Sequence, residues 1–334
     1  MPQNSTKDYE VGFFRAYISP VIFVLGVVGN IFNIIAFVKL RPKTRFAIYA
    51  YHLAFCQIIL LIINTFMDDF LNRGISFLTE GKKSFGFDEY NVQTCRMTEY
   101  ICDVMQFINN YLITVFSFDR FLTIYNPIRY SNIYHKHSSK IICIIVIVSG
   151  FIINIPIIPL KNMNSNGSCI MNTSQEYLYT YVVLYKAIGL FTIPVTIILL
   201  LNIFIISMLL KISQKRYQGV IAIVGQKQIH KNSMEMARIL GHLAVCTIFL
   251  LLDIPLVGII LYRMHISFQS KTSEQTEIFV KNLSKLFSSI IDFTLCSNFF
   301  VYLIFFKNFR RFFIKKLFSN QTTASKKTSH ERNS

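Results

Sequence analysis

Seven stretches of this chain are long and apolar enough to cross a bilayer: roughly 17–39, 46–72, 92–125, 139–160, 178–212, 235–264 and 279–305. A hydrocarbon core about 30 Å thick is spanned by about 20 helical residues. In lipid each backbone polar group must be bonded inside the protein, so such stretches become helices. Their recurrence along the whole chain predicts an all-α membrane protein, a seven-transmembrane helix bundle. A composition 53% hydrophobic and only 15% charged agrees with that class. Pro156, Pro194 and Pro255 fall inside spans, where they are expected to kink helices rather than end them. The chain then divides into an extracellular N-terminus (1–16), the bundle (17–305), a membrane-surface helix (306–318) and a disordered tail (319–334).

The formal charge of +17 raises nucleic acid as a partner, but the basic residues do not form one face. They gather in short links and in the tail, which suits lipid better and sets nucleic acid aside. The first link holds Lys39, Arg41, Lys43 and Arg45 with no acid. The link before span six and its edges hold Lys211, Lys215, Arg216, Lys227, Lys231 and Arg238 against Glu235. The link after span two instead holds Asp68, Asp69, Glu80, Asp88 and Glu89 beside Arg73, Lys82 and Lys83. Basic links belong in the cytoplasm, which predicts a plasma-membrane protein with its N-terminus outside and its tail inside. Asn4, Asn166 and Asn172 head sequons that this orientation places outside, as glycosylation sites. Phe309, Phe312, Phe313 and Leu317 recur at helical spacing among Arg310, Arg311, Lys315 and Lys316, predicting a short amphipathic C-terminal helix on the anionic inner leaflet.

Cys95 opens span three and Arg120 stands 25 residues later. At about 1.5 Å per residue that is roughly 37 Å, close to a full crossing. One helix thus carries a cysteine at one water interface and the Asp119-Arg120 pair at the other. Cys169 lies in the outside link between spans four and five, so both cysteines face the oxidising side where a disulfide persists; two free thiols are the alternative. Glu235 falls about 30 Å before the level of Pro255 in span six, level with Arg120. A salt link between the two would hold an inner surface shut until activation, against two solvated charges that never meet. Asp103, Gln106, Asp253 and Asp292 lie inside spans three, six and seven and form the expected ligand-binding set. A converging set of acids would suit a basic ligand; internal pairing or neutral acids are the alternative. Neither a metal set, a cofactor loop nor a nucleophile–base pair is present, so an enzyme is not expected.

The order and spacing of several residues resemble the rhodopsin-like (class A) family of G-protein-coupled receptors over roughly 17–318. They are Gly29-Asn30, Leu53-Ala54, Cys95, Asp119-Arg120-Phe121, Asn126-Pro127-Ile128, Pro194, Phe249 with Pro255, and Asn298-Phe299-Phe300-Val301-Tyr302. The resemblance implies an extracellular ligand, a heterotrimeric G protein docking near Arg120, arrestin as a further partner, and Asp119, Arg120, Glu235, Asn298 and Tyr302 as the activation switch. Phe299 where proline is usual, with the ending Lys307-Asn308-Phe309-Arg310-Arg311-Phe312, is similar to invertebrate FMRFamide- and myosuppressin-type neuropeptide receptors. Cys102 stands where aminergic receptors carry an acid, and Asp292 near the place of the retinal lysine of opsins.

Four positions depart from the family pattern. Gln57 replaces the acid that helps hold sodium, Asp253 replaces a tryptophan, Asn202 a tyrosine, and Phe299 the proline. These keep a divergent chemosensory-type receptor as the alternative to a neuropeptide receptor. A seven-helix transporter or channel would want a continuous polar path or inverted repeats. Asp103, Asn109, Gln57 and Asp292 could line part of a path, but the chain shows no repeat symmetry.

Overall fold

The computed structural model describes residues 9–39, 44–126, 136–164, 167–172, 175–217, 226–267 and 274–314. Seven helices are long and apolar enough to cross a membrane: α1 (Tyr9–Lys39), α2 (Arg45–Leu78), α3 (Val92–Tyr125), α4 (Ser138–Leu160), α5 (Glu176–Gln214), α6 (Met236–Ile266) and α7 (Ile278–Phe305). An eighth helix, α8, covers 307–314. Local chemistry sets the starts. The Thr44 side chain accepts from the backbone N–H of Ala47 ahead of α2. Asn91 and Thr94 cap α3 reciprocally, each side chain bonding the other's backbone N–H. On α4 the exposed residues Ile141, Ile144, Ile145, Val148 and Ile152 recur at helical spacing and form an apolar outer stripe, as lipid requires. Gly29 lets α1 close on α7, since a Cβ there would stand 2.8 Å from that of Phe299.

α1 begins well before residue 17, because Arg15 is buried inside it and answered by partners on α2 and α7. Three stretches are wound wider, as π-helix: Phe14–Ile18, Leu61–Gly74 and Tyr185–Thr192. Pro156 opens a 3-10 segment, Ile155–Leu160, at the end of α4, whereas the helix Gln226–Ser267 continues through Pro255. The helix of span seven likewise runs unbroken through Phe299. Between α4 and α5, strands β1 (Lys161–Met163) and β2 (Cys169–Met171) pair antiparallel with Met163 opposite Cys169. α8 turns Phe309 into the bundle, where it is buried against Phe37 and Tyr302, and sets Phe313 on Phe32 and Phe299. Leu317 and the tail lie outside the described residues.

Candidate functional site

At the Arg120 end of the bundle, Asp119 and Arg120 are each only 3% exposed and pair with one another. Arg45 of α2 approaches the same carboxylate at 3.9 Å. The Arg120 guanidinium lies 5.7 Å from the ring centre of Phe46 and 5.6 Å from that of Phe116, so its charge is met by two aromatic faces. Phe46 touches Phe116, Tyr302 and Phe306 at ring separations of 5.0 to 5.7 Å, a lid drawn from α2, α3, α7 and the turn into α8. The Nε of Arg120 and the hydroxyl of Tyr302 are buried without a hydrogen-bond partner among the described residues. The His242 ring of α6 lies tilted against that of Phe116 with centres 4.1 Å apart, and its Nε2 shares hydrogen bonds with Ser117 (3.0 Å) and Cys246 (3.3 Å).

Amides run through the middle. Asn298 donates to Gln57 at 2.9 Å, Gln57 donates to Asn109 at 3.3 Å, and Asn109 donates to Asn110 at 3.2 Å. Gln106 also donates to Asn110, and Asn110 donates to the Leu190 carbonyl at 2.8 Å. That carbonyl is free for a reason: Pro194, four residues on, lacks the N–H that would bond it in a regular helix. The chain of bonds therefore ties α2, α3, α5 and α7 with no formal charge. Where an acid at position 57 would want a cation, the Gln57 amide supplies both donor and acceptor.

At the other end, Cys95 and Cys169 form a disulfide with Cα atoms 5.6 Å apart. It fastens the β1–β2 hairpin to α3, helped by Arg96 donating to the Lys161 carbonyl at 2.9 Å and by a Lys161–Glu99 ion pair. Three further ion pairs stand nearby: Arg15–Asp69 at 2.9 Å, Arg73–Asp68 at 3.1 Å, and Lys186–Asp103. Arg15 also donates to Ser289 at 3.0 Å, and Thr65 donates to Asp292 at 2.6 Å. Arg15, Asp68, Asp69, Arg73 and Lys186 all sit in the π-wound stretches.

Two of the three expected ligand acids, Asp103 and Asp292, are thus met from within the protein. Asp103 takes Lys186 of α5, Asp292 takes Thr65 of α2, and Gln106 bonds along its own helix. Asp253 is fully buried with neither carboxylate oxygen hydrogen-bonded among the described residues. The four do not bond to one another. The Glu235 side chain, Asn4 and Asn166 lie outside the described residues; Asn172 follows β2 and is partly exposed. Sequence reasoning passed over Arg15, Thr65, Lys186 and the cover formed by Phe46. Lys186 had a usable signal, being a cation inside an apolar span.

The family model described as "7 transmembrane receptor (rhodopsin family)" matches residues 29–306. Somatostatin receptor type 2 of Mus musculus is 28% identical over 213 residues, 61% of this chain and 54% of that protein. Leukotriene B4 receptor 1 of Mus musculus is 24% identical over 178 residues, 52% of this chain and 47% of that protein. Cysteinyl leukotriene receptor 1 of the same species is 24% identical over 203 residues, 59% of this chain and 54% of that protein. The chain spans about half the length of the relatives it matches.

Proposed function

Because the chain belongs to the rhodopsin family of seven-transmembrane receptors, we propose that it carries the signal of an extracellular ligand, a small neuropeptide, to a heterotrimeric G protein. The observation that carries this reading is the buried Arg120 under its aromatic cover, at the opposite end of α3 from the disulfide. In this reading the protein lies in the plasma membrane with the disulfide end outside. Ligand contacts around Asp103, Gln106, Asp253 and Asp292 favour an arrangement that parts α3 from α6, breaks an Arg120–Glu235 link and uncovers Arg120. G protein, and afterwards arrestin, dock at the opened end. Asn4, Asn166 and Asn172 carry glycans, and α8 lies along the inner leaflet.

The FMRFamide-type likeness rests on Asn298-Phe299-x-x-Tyr302 and the residues of α8. A second reading, a receptor for small non-peptide compounds, is favoured by Asp253 in place of the family's tryptophan and by relatives named for leukotrienes. G-protein activation in cells expressing the chain, challenged with amidated neuropeptides and with small odorant-like compounds, separates the two. A saturable response to an Arg-Phe-amide peptide, lost on changing Asp103 or Asp292 at normal surface expression, supports the peptide reading. A response to small compounds alone supports the second. Silence with good surface expression overturns both.

A further inference from the structure

We propose that Lys186 fills the place of the ligand's cationic group, and that a guanidinium on the extracellular ligand binds by displacing it from Asp103. This rests on the receptor reading above and names the ligand group that the disulfide end selects. Glu99 and Asp103 lie one turn apart on α3, so their side chains share a face. Each is answered by a lysine from another element, Asp103 by Lys186 of α5 and Glu99 by Lys161 of β1. Three observations separate the Lys186–Asp103 pair from a fixed structural tie. The first is access: its side chains are 24% and 11% exposed, whereas those of Arg15 and Asp69 are 6% and 7% exposed. The second is the quality of the contact. Arg15 adds Ser289 and the Lys285 carbonyl to its carboxylate, whereas among the described residues Asp103 has Lys186 alone, and its buried Oδ2 lacks an aligned hydrogen-bond donor. An acid only 8% exposed in that condition keeps acceptor capacity for a better donor. The third is position. Lys186 is a cation inside an apolar span and projects from the π-wound stretch Tyr185–Thr192, and both features concentrate at functional sites.

An ammonium is a compact point charge, while a guanidinium presents paired N–H donors in one plane that fit both oxygens of a carboxylate. Lys186 thus spares Asp103 from being a bare buried charge, yet a ligand guanidinium makes the better pair. One cation leaves as another arrives, so the exchange adds no uncompensated buried charge. A cleft of about 50 Å³ between α2 and α3, walled by Asn64, Phe87, Asp88, Glu99 and Cys102, opens beside Glu99. It has room for a side-chain head and not for a whole ligand. Acids line it and no base does; Asp68 and Glu99 are paired with Arg73 and Lys161 from outside, and Asp88 is met by the Asn72 amide at 3.4 Å. The Phe87 ring adds a face that suits a cation. Once Lys186 is displaced, the ion pair that joins α5 to α3 is gone, and ligand binding is felt as a loosened contact between those helices.

The probe is dansyl-Arg-Phe-amide, with its lysine and citrulline counterparts, titrated against the full-length protein in phosphatidylcholine nanodiscs without G protein, reading fluorescence anisotropy. The arginine probe should bind saturably and tighter than both counterparts. An acid free about a tenth of the time binds about tenfold more weakly than one always free, so Lys186→Gln should tighten the arginine probe about tenfold. That gain should vanish when Asp103→Asn is added. On the unaltered protein, acetylation of Lys186 by a water-soluble amine reagent is mapped by mass spectrometry against the exposed Lys82. It should quicken at least about threefold at saturating probe. This second measurement needs no variant, so the test survives a Lys186→Gln protein that fails to fold. Weaker binding by Lys186→Gln, a gain that persists without Asp103, or a citrulline or lysine probe bound as tightly as the arginine one overturns the exchange. Unchanged Lys186 labelling, or no saturable binding of the arginine probe, overturns it as well. Faster Lys186 labelling with no signalling in cells leaves the exchange standing and sinks only the receptor reading. Signalling to the peptide with Lys186 labelling unchanged does the reverse.

Discussion

At the Arg120 end a buried guanidinium is answered by the neighbouring residue on its own helix, whereas at the disulfide end the buried Arg15, Asp103 and Lys161 are answered from other elements. Asp119 moves with Arg120, so their ion pair ties no helices together; the contacts of Phe46 with Phe116, Tyr302 and Phe306 do that there, beside Arg45 of α2 at 3.9 Å from the Asp119 carboxylate. Arg15–Asp69 joins α1 to α2, Lys186–Asp103 joins α5 to α3, and Lys161–Glu99 joins the hairpin to α3. A charged ligand can compete with pairs of the second kind and shift the helices that carry them. The Arg120 end then has its aromatic packing and the long Arg45–Asp119 contact to part before its cation is uncovered. Contacts that discriminate by charge thus stand at one end, and a packing that opens as a unit stands at the other.

The largest effect that would test this contrast is at Asp119. Asp119→Ala leaves Arg120 buried without its carboxylate, a loss of about 3–5 kcal/mol. A lower unfolding temperature together with raised basal nucleotide exchange is expected, measured on purified protein and in cells. If neither quantity moves, the pair is not what keeps Arg120 quiet. At the other end, replacing Cys95 and Cys169 together by serine should cost about 2–4 kcal/mol. Here the expected signature is reduced surface expression and weaker ligand response without raised basal activity. Constitutive signalling from that double variant would show that the two ends are not separable as described.

How far the sequence reached follows the same division. The seven spans were legible because lipid forces long apolar runs, and the disulfide because its two cysteines are the pair outside the span interiors. The start of α1 was misplaced because hydropathy counts Arg15 as polar, while the Asp69 and Ser289 that satisfy it lie far away in the chain. Asp103 and Asp292 were legible as buried acids, but their partners Lys186 and Thr65 come from other helices that local pattern cannot align. The π-wound stretches and the β1–β2 hairpin left no periodic trace. Pro194 was visible as a kink position; that it releases the Leu190 carbonyl to Asn110 became apparent only once α3 and α5 were side by side.

A smaller effect separates two accounts of the closed Arg120 end. Phe46→Leu removes one ring from the cover and should cost on the order of 1 kcal/mol in stability. It also withdraws a cation–π contact worth up to about 2 kcal/mol when desolvated, so basal exchange should rise clearly. Glu235→Gln, which removes the charge proposed to reach Arg120 from α6, should raise basal exchange too. A rise in the first variant with none in the second would assign closure to the aromatic cover and dismiss the α3–α6 link. The opposite pattern would restore the link as the principal tie.

The smallest expected effect is an absence that one substitution should turn into a presence. Gln57 occupies the place where the family pattern has an acid, and here it accepts from Asn298 at 2.9 Å and donates to Asn109 at 3.3 Å. A neutral amide already bonded on both sides offers sodium no compensating charge. Agonist affinity of the unmodified receptor should therefore be the same in sodium and in an equal concentration of choline. Gln57→Asp restores a carboxylate among Asn109, Asn110 and Asn298 and gives a cation something to neutralise. Affinity in that variant should become sodium-dependent by about fivefold or more, the lower range of allosteric couplings. A sodium effect in the unmodified receptor that disappears on Gln57→Leu would mean the amide carbonyl itself holds the ion. The middle of the bundle would then be a third charged region, and the contrast between the two ends would have to be redrawn around it.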